Sequence, residues 1–222
     1  MICHKHKCIF IHIPSCAGTS VERAIVGFDW VTKDWSTKHL KSHQAKILYS
    51  KHWNDYFKFA FVRNPWARTV SLAKNQTHGV YIDHSKKTIN FNRCVAAPDR
   101  LARKQPHCKD NNWIKQSQGY ELFCMDQKKD LYTKQPIKNS IYLNYLQEDL
   151  DFIGRVENIQ EDWKFISEKI KVKTRLNKHQ TTQNKNYTHY TEYYDDETRE
   201  IVAKKYAKDI ERFDYKFITA DL

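Results

Sequence analysis

Ile9-Phe10-Ile11-His12-Ile13-Pro14-Ser15-Cys16-Ala17-Gly18-Thr19-Ser20 runs from an apolar stretch through small residues to a pair of hydroxyls. The order reads as a buried strand, a tight loop and a helix start. Such a junction makes an anion site, because backbone N–H groups at a helix N-terminus lack intrahelical partners and the helix dipole favours negative charge there. Ala17 and Gly18 let a phosphate approach the backbone closely, and Thr19 and Ser20 add hydroxyl donors. An ordinary strand-to-helix turn would carry the same glycine and hydroxyls. No lysine follows Gly18, so the loop is not the Gly-Lys-Ser/Thr pattern of nucleoside triphosphate hydrolysis.

A second stretch has the same form: Tyr56-Phe57-Lys58-Phe59-Ala60-Phe61-Val62-Arg63-Asn64-Pro65-Trp66-Ala67-Arg68-Thr69-Val70-Ser71-Leu72. Phe57, Phe59, Phe61 and Val62 suit a buried strand. Pro65 suits the first turn of a helix, where its missing N–H costs nothing. Trp66, Val70 and Ala73 then share one helical face. Arg63 leaves the strand at its C-terminal end, the edge where open parallel sheets bind ligands. A guanidinium there can hold a phosphate with two parallel hydrogen bonds, and Ser71 can add a hydroxyl from two turns further on. The plainer alternatives are a surface ion pair for Arg63 and a solvated helix position for Ser71.

Together the two segments resemble the sulfotransferases that use 3′-phosphoadenosine 5′-phosphosulfate (PAPS), and most of all the carbohydrate sulfotransferases of the membrane-bound and bacterial type. In that family an Ile-Pro-Lys-x-x-Gly-Thr-Ser-like loop holds the 5′-phosphosulfate, and a Val-Arg-Asn-Pro-x-x-Arg-x-x-Ser segment holds the 3′-phosphate. The likeness continues at Asp151-Phe152-Ile153-Gly154-Arg155-Val156-Glu157-Asn158, at Tyr193 to Thr198 and from Tyr206 to Phe217; it is weakest from Gln76 to Gln135. It implies that Ser15, Cys16, Ala17, Gly18, Thr19 and Ser20 hold the phosphosulfate, and that Arg63 and Ser71 hold the 3′-phosphate. It implies a sulfuryl transfer from PAPS to a carbohydrate hydroxyl, with residues 76–135 as a variable, acceptor-side region of one domain spanning 1–222.

The family's loop lysine, directly after the proline, is Ser15 here. That lysine stabilises charge developing on the leaving phosphate, and such a fixed cation is worth a few kcal/mol of barrier, roughly a hundredfold or more in rate. Three accounts stay open: another cation takes its place, the enzyme is slow, or the chain binds the nucleotide without turnover. Lys58 is a poor substitute, because it lies several residues back along its strand from Arg63.

Transfer to a sugar hydroxyl needs a base, and histidine has the right pKa. His43 follows Ser42 at the start of the helix-like run Gln44 to Tyr49, and the related enzymes place a catalytic histidine between the two binding segments. A capping or surface histidine is the alternative. His12 reads as strand filler beside the loop, and His78, His84 and His107 fall in the variable middle.

The net charge is +12. A positive field suits the anionic donor and acidic glycan acceptors. No zinc-finger spacing, RNP-like aromatic motif or continuous basic helix points to nucleic acid. No apolar run is long enough to cross a membrane. With a polar, basic start at Met1–Cys8, the expectation is a cytoplasmic protein, or the Golgi lumen if the chain is cut from a longer eukaryotic one. Cys3, His4, His6 and Cys8 resemble a metal cluster, but a strand would send them to alternate faces, so no metal is expected. Cys94, Cys108 and Cys124 are expected as free thiols, although a pair of them could be bridged in an oxidising compartment.

Alternating elements favour a single α/β domain: a P-loop-like, three-layer fold with a central parallel sheet flanked by helices. Strands are expected near Cys8–Ile13, Phe57–Val62 and Asp151–Val156. Helices are expected from Thr19 and Pro65, through Ile159–Ile170, and from Asp195 or Asp196 with Val202, Tyr206, Ile210 and Phe213 inward. Lys173–Tyr190 reads as a loop; the resemblance implies that it closes over the nucleotide, where Thr182 or Lys185 could touch it, and a mobile surface loop is the alternative. Arg155 and Glu157 read as an ion pair. A nucleotide-binding protein without turnover is the second reading, and a kinase-like P-loop enzyme the third.

Overall fold

A computed structural model describes residues 1–75, 82–83, 88–89, 140–176 and 189–218. Four strands form the main sheet in the order β1-β2-β3-β6: β1 (Ile2–Cys3), β2 (Cys8–Ile11), β3 (Phe57–Val62) and β6 (Phe152–Arg155). The strands β2, β3 and β6 run parallel, and β1 pairs antiparallel to β2. A small antiparallel pair, β4 (Ile82–Asp83) and β5 (Thr88–Ile89), stands apart. The rest of the 76–135 region, with Cys94, Cys108, Cys124, His78, His84 and His107, lies outside the described residues, as do Thr182 and Lys185.

The inner strands β2 and β3 are covered on both faces, so β2 reads as a continuous apolar run and β3 as one interrupted by Lys58, while the edge strand β6 is only part buried. All of β2 is buried, and so is β3 from Lys58 to Val62. Phe10 and Phe59 stack at 5.0 Å across the β2–β3 pair. Gly154 lies against the Phe61 ring, where a Cβ would come within 2.5 Å. The register pairs Ile11 with Ala60 and Val62 with Arg155. All three parallel strands therefore end at one edge, and the residues that follow them emerge side by side. Lys58 sits at the other end of β3, bridged to Asp151 at 2.9 Å.

The helices follow their strands. Helix α1 (Gly18–Val26) follows β2, and α5 (Pro65–Asn75) follows β3. Between them lie the short α2 (Val31–Asp34), α3 (Ser42–Leu48) and α4 (Ser50–Trp53). Beyond the variable region come α6 (Tyr142–Tyr145) and α7 (Ile159–Lys169), which packs on β6. In α7, Trp163 and Ile166 form the buried face, with Ile170 just past its end. The single C-terminal helix expected from Asp195 is two helices, α8 (Asp196–Lys205) and α9 (Ala207–Phe213), broken at Tyr206. The inward stripe survives the break: Val202, Tyr206 and Phe213 are buried. Asp195 caps α8 by accepting from the Thr198 N–H at 2.8 Å.

The first residues differ from the polar start expected of them. Met1, Ile2 and Cys3 are buried as an edge strand. Cys3 stands directly opposite Cys8. His4 instead reaches the Tyr56 hydroxyl at 2.9 Å, and His6 reaches the Ile170 carbonyl at 3.0 Å. The two histidines thus turn to other partners while the two cysteines face each other, and no group of three metal ligands occurs among the described residues. A hydrogen bond from the Cys8 thiol brings the Cys3 thiol down to about 6, while the same contact and burial raise Cys8. Because the thiolate is the nucleophile, iodoacetamide at pH 7 is expected to label Cys3 ahead of Cys8 and Cys16. Peptide mass mapping reads the order, and equal labelling of the three would refute it.

Candidate functional site

The candidate anion loop leaves β2 at His12 and enters α1 at Gly18. Ser15 (φ 64°) and Ala17 (φ 61°) both sit in the left-handed region. Each such non-glycine residue costs of order 1–3 kcal/mol and persists only where its surroundings fix it. Ser20 and Val21 donate to the Ala17 carbonyl at 3.0 and 3.2 Å. The N–H groups of Gly18 and Thr19 precede them in the first turn, where no intrahelical acceptor exists.

Two arginines from the β3–α5 corner hold the loop. Arg63, half-buried, donates from Nη1 to the Ser15 carbonyl at 3.4 Å. Arg68, only 2 % exposed, donates from Nε to the Pro14 carbonyl at 3.0 Å. The structure thus joins the two segments that the sequence singled out, and it does so through Arg68 as well as Arg63. The Arg-Asn-Pro-x-x-Arg spacing was the available signal for Arg68, since it puts the second guanidinium one helical turn inside α5. Ser71 lies on α5 three residues beyond Arg68 and is half-buried.

Cys16 points inward from the loop. Its thiol donates toward the Pro14 carbonyl at 3.7 Å and the Tyr142 hydroxyl at 3.9 Å. Burial pushes it up to about 11 despite the two nearby guanidiniums, so it stays a neutral thiol.

Arg63 is itself held by residues with no legible sequence signal. The Tyr142 hydroxyl donates to the Arg63 carbonyl and accepts from the Arg63 N–H at 3.1 Å. The buried Asp209 carboxylate in turn accepts from the Ser140 hydroxyl and from the N–H groups of Ile141, at 2.6 Å, and Tyr142, at 3.2 Å. Asn64 caps α5, accepting from the N–H groups of Trp66 and Ala67 at 3.1 and 3.3 Å. The Asn64 N–H donates to Glu157 at 2.7 Å. The ion pair expected between Arg155 and Glu157 is not formed. Glu157 serves Asn64 and the Tyr215 hydroxyl, and Arg155 lies over the Tyr215 ring at 5.2 Å. Both side chains meet Tyr215, Glu157 at its hydroxyl and Arg155 over its ring, rather than each other.

His43 stands on a separate element, the second residue of α3, and is half-buried. The Ser42 hydroxyl beside it accepts from the Glu148 N–H at 2.9 Å. The segment leading into α3 is tied to the start of the anion loop: His39 Nδ1 donates to the His12 carbonyl at 3.0 Å. His12 is not strand filler. Its Nδ1 lies 2.6 Å from the buried Glu22 carboxylate of α1.

A tight strand-to-helix loop at a parallel sheet edge, braced by arginines from the following strand–helix corner, is consistent with a P-loop-like fold. The chain belongs to the sulfotransferase family, whose family model matches residues 1–216. Members of this family transfer a sulfuryl group, and PAPS is the donor the family generally uses. No curated protein and no solved structure matches the chain. No helix among the described residues is long and apolar enough to cross a membrane.

Proposed function

We propose that this chain transfers the sulfuryl group of PAPS to a carbohydrate hydroxyl. The observation that carries the reading is the contact between Arg63 and the Ser15 carbonyl, which sets the two anion-binding segments against each other. Ser15 to Ser20 would take the 5′-phosphosulfate, with the Gly18 and Thr19 N–H groups as donors. Arg63 and Ser71 would take the 3′-phosphate. His43 would accept the proton of the sugar hydroxyl as its oxygen attacks sulfur in line and the phosphate leaves. The +12 net charge favours both the donor and an acidic glycan.

The serine at position 15 favours a second reading, a protein that binds the nucleotide with little or no turnover. Its hydroxyl brings no charge to the leaving group. Calorimetric titration with adenosine 3′,5′-bisphosphate and with ATP separates the donor classes. Preference for the bisphosphate is expected, and preference for ATP would sink both readings. Labelled PAPS offered with a glycan panel then distinguishes transfer from binding. Ser15→Lys is expected to raise turnover by roughly a hundredfold with little change in nucleotide affinity. His43→Ala should cut transfer far more than binding, and equal loss in both would give His43 a structural role only.

A further inference from the structure

Beneath the anion loop lies a cluster of buried charge. Glu22, on the second turn of α1, is wholly buried. One of its oxygens faces His12 Nδ1 at 2.6 Å. The other accepts from the Trp30 N–H at 3.1 Å and pairs with Lys38 Nζ at 3.2 Å. Lys38 also pairs with Asp29. Lys38 is thus the cation shared by both carboxylates, and His12 adds a hydrogen-bond donor to Glu22. Burial and the Lys38 cation hold the His12 pKa well below its ordinary value. The ring is therefore neutral, with its proton on Nδ1 toward the carboxylate.

The far side of the same ring rests on the loop. A Cβ at Gly18 would lie 2.1 Å from both Cδ2 and Nε2 of His12. Gly18 is not in the left-handed region, so it is this ring, rather than backbone conformation, that requires a glycine there. One imidazole thus bonds the second turn of α1 and packs on its first residue, while its own backbone ends the β2 run. The loop it spans carries the two left-handed residues, Ser15 and Ala17, which only external bracing can hold. Arg63 and Arg68 brace it from the β3 side, and His12 braces it from within.

We infer that His12 is a positioning residue for donor binding: it fixes the end of β2 to the start of α1 and so sets where the loop's N–H groups point. This rests on the reading of the loop as the phosphosulfate site. The test is calorimetric titration of the full chain with adenosine 3′,5′-bisphosphate, with a thermal melt of each variant. The wild-type chain is titrated first. Absence of binding there overturns the donor reading and this inference with it, whereas equal binding by wild type and all variants overturns this inference alone.

His12→Gln removes the Nδ1 donor. His12→Asn keeps an N–H near that position, to preserve the Glu22 bond, but withdraws the ring from Gly18. Each is expected to weaken binding by roughly ten- to a hundredfold, the usual result of misplacing binding groups by about an ångström. If His12→Gln does not fold, His12→Asn carries the measurement. Gly18→Ala supplies a readout that general destabilisation does not move. It should abolish detectable binding beside the wild-type ring and cost at least roughly tenfold less in the His12→Asn background, where the ring is gone. An equal Gly18→Ala penalty in both backgrounds overturns the inference. So does a lowered melting temperature with unchanged affinity of the folded protein.

Discussion

Replacing Asp209 with alanine is expected to destabilise the fold by about 3–5 kcal/mol, the usual cost of leaving buried polar partners without their charged acceptor. The carboxylate is fully buried and accepts from one hydroxyl and two backbone N–H groups of residues 140–142. Alanine leaves all three without their acceptor, the fully buried Tyr142 N–H among them. For a chain of this size the loss corresponds to a fall of about 6–20 °C in melting temperature. The effect should reach the donor site too. Asp209 fixes the start of α6, α6 fixes Tyr142, and the Tyr142 hydroxyl bonds both the N–H and the carbonyl of Arg63. Weaker adenosine 3′,5′-bisphosphate binding should therefore accompany the lower melting temperature. Asp209→Asn keeps one acceptor oxygen and should fall between the two. Calorimetric melts check the series, and a shift under about 2 °C for the alanine variant would show that the donors find other partners.

The second large effect is acid sensitivity above the carboxylate range. His12 and His39 both have pKa values held well below the ordinary 6.5, in each case chiefly by burial. Lys38 adds to the depression in both, and the two rings lie 4.3 Å apart, so a proton on one opposes a proton on the other. As the pH falls below 6.5 the unfolded chain takes up protons at these two positions and the folded chain does not. Protons then favour the unfolded state, so stability is lost as the pH falls. With two such groups the limiting slope is about 2.7 kcal/mol per pH unit. Above roughly pH 7.5 these groups contribute no slope, since both states are neutral there. Urea unfolding at pH 7.5, 6.5 and 5.5 measures this directly. His39→Gln, which removes one titrating group, should about halve the slope below pH 6.5. A flat profile between pH 7.5 and 5.5 would mean that the folded protein accepts these protons.

The parts legible in the sequence are those whose physics is local. The runs Cys8–Ile11 and, but for Lys58, Phe57–Val62 are apolar without alternation because inner parallel strands are covered on both faces, and they form β2 and β3. Pro65 starts α5, and the small residues before Thr19 mark the loop into α1. The 3.6-residue spacing of Ile159, Trp163 and Ile166 gave α7. Edge strand β1 was hidden because its two residues are too few to show a period, and the basic turn after them masks their pairing with β2.

Most of what surrounds the candidate site was hidden for a different reason. Tyr142 meets Arg63 across 79 positions of sequence, and Asp209 meets residue 141 across 68. Nothing in either neighbourhood marks the partner. His12 and Glu22 are ten residues apart, on a strand and a helix, and become neighbours only when the turn between them closes.

The residues alone were enough to place the small-residue loop before Gly18 and the Arg63 corner each between a strand and a helix, because strand burial, turn chemistry and helix starts depend on residues within one short stretch. That the two would touch followed from the folded sheet, with parallel β2 and β3 in a register that ends both at one edge. It alone selected Arg68, His12 and the Tyr142–Asp209 pair as their supports. Those are contacts between distant segments, and desolvation and hydrogen-bond geometry choose them only once the sheet has formed.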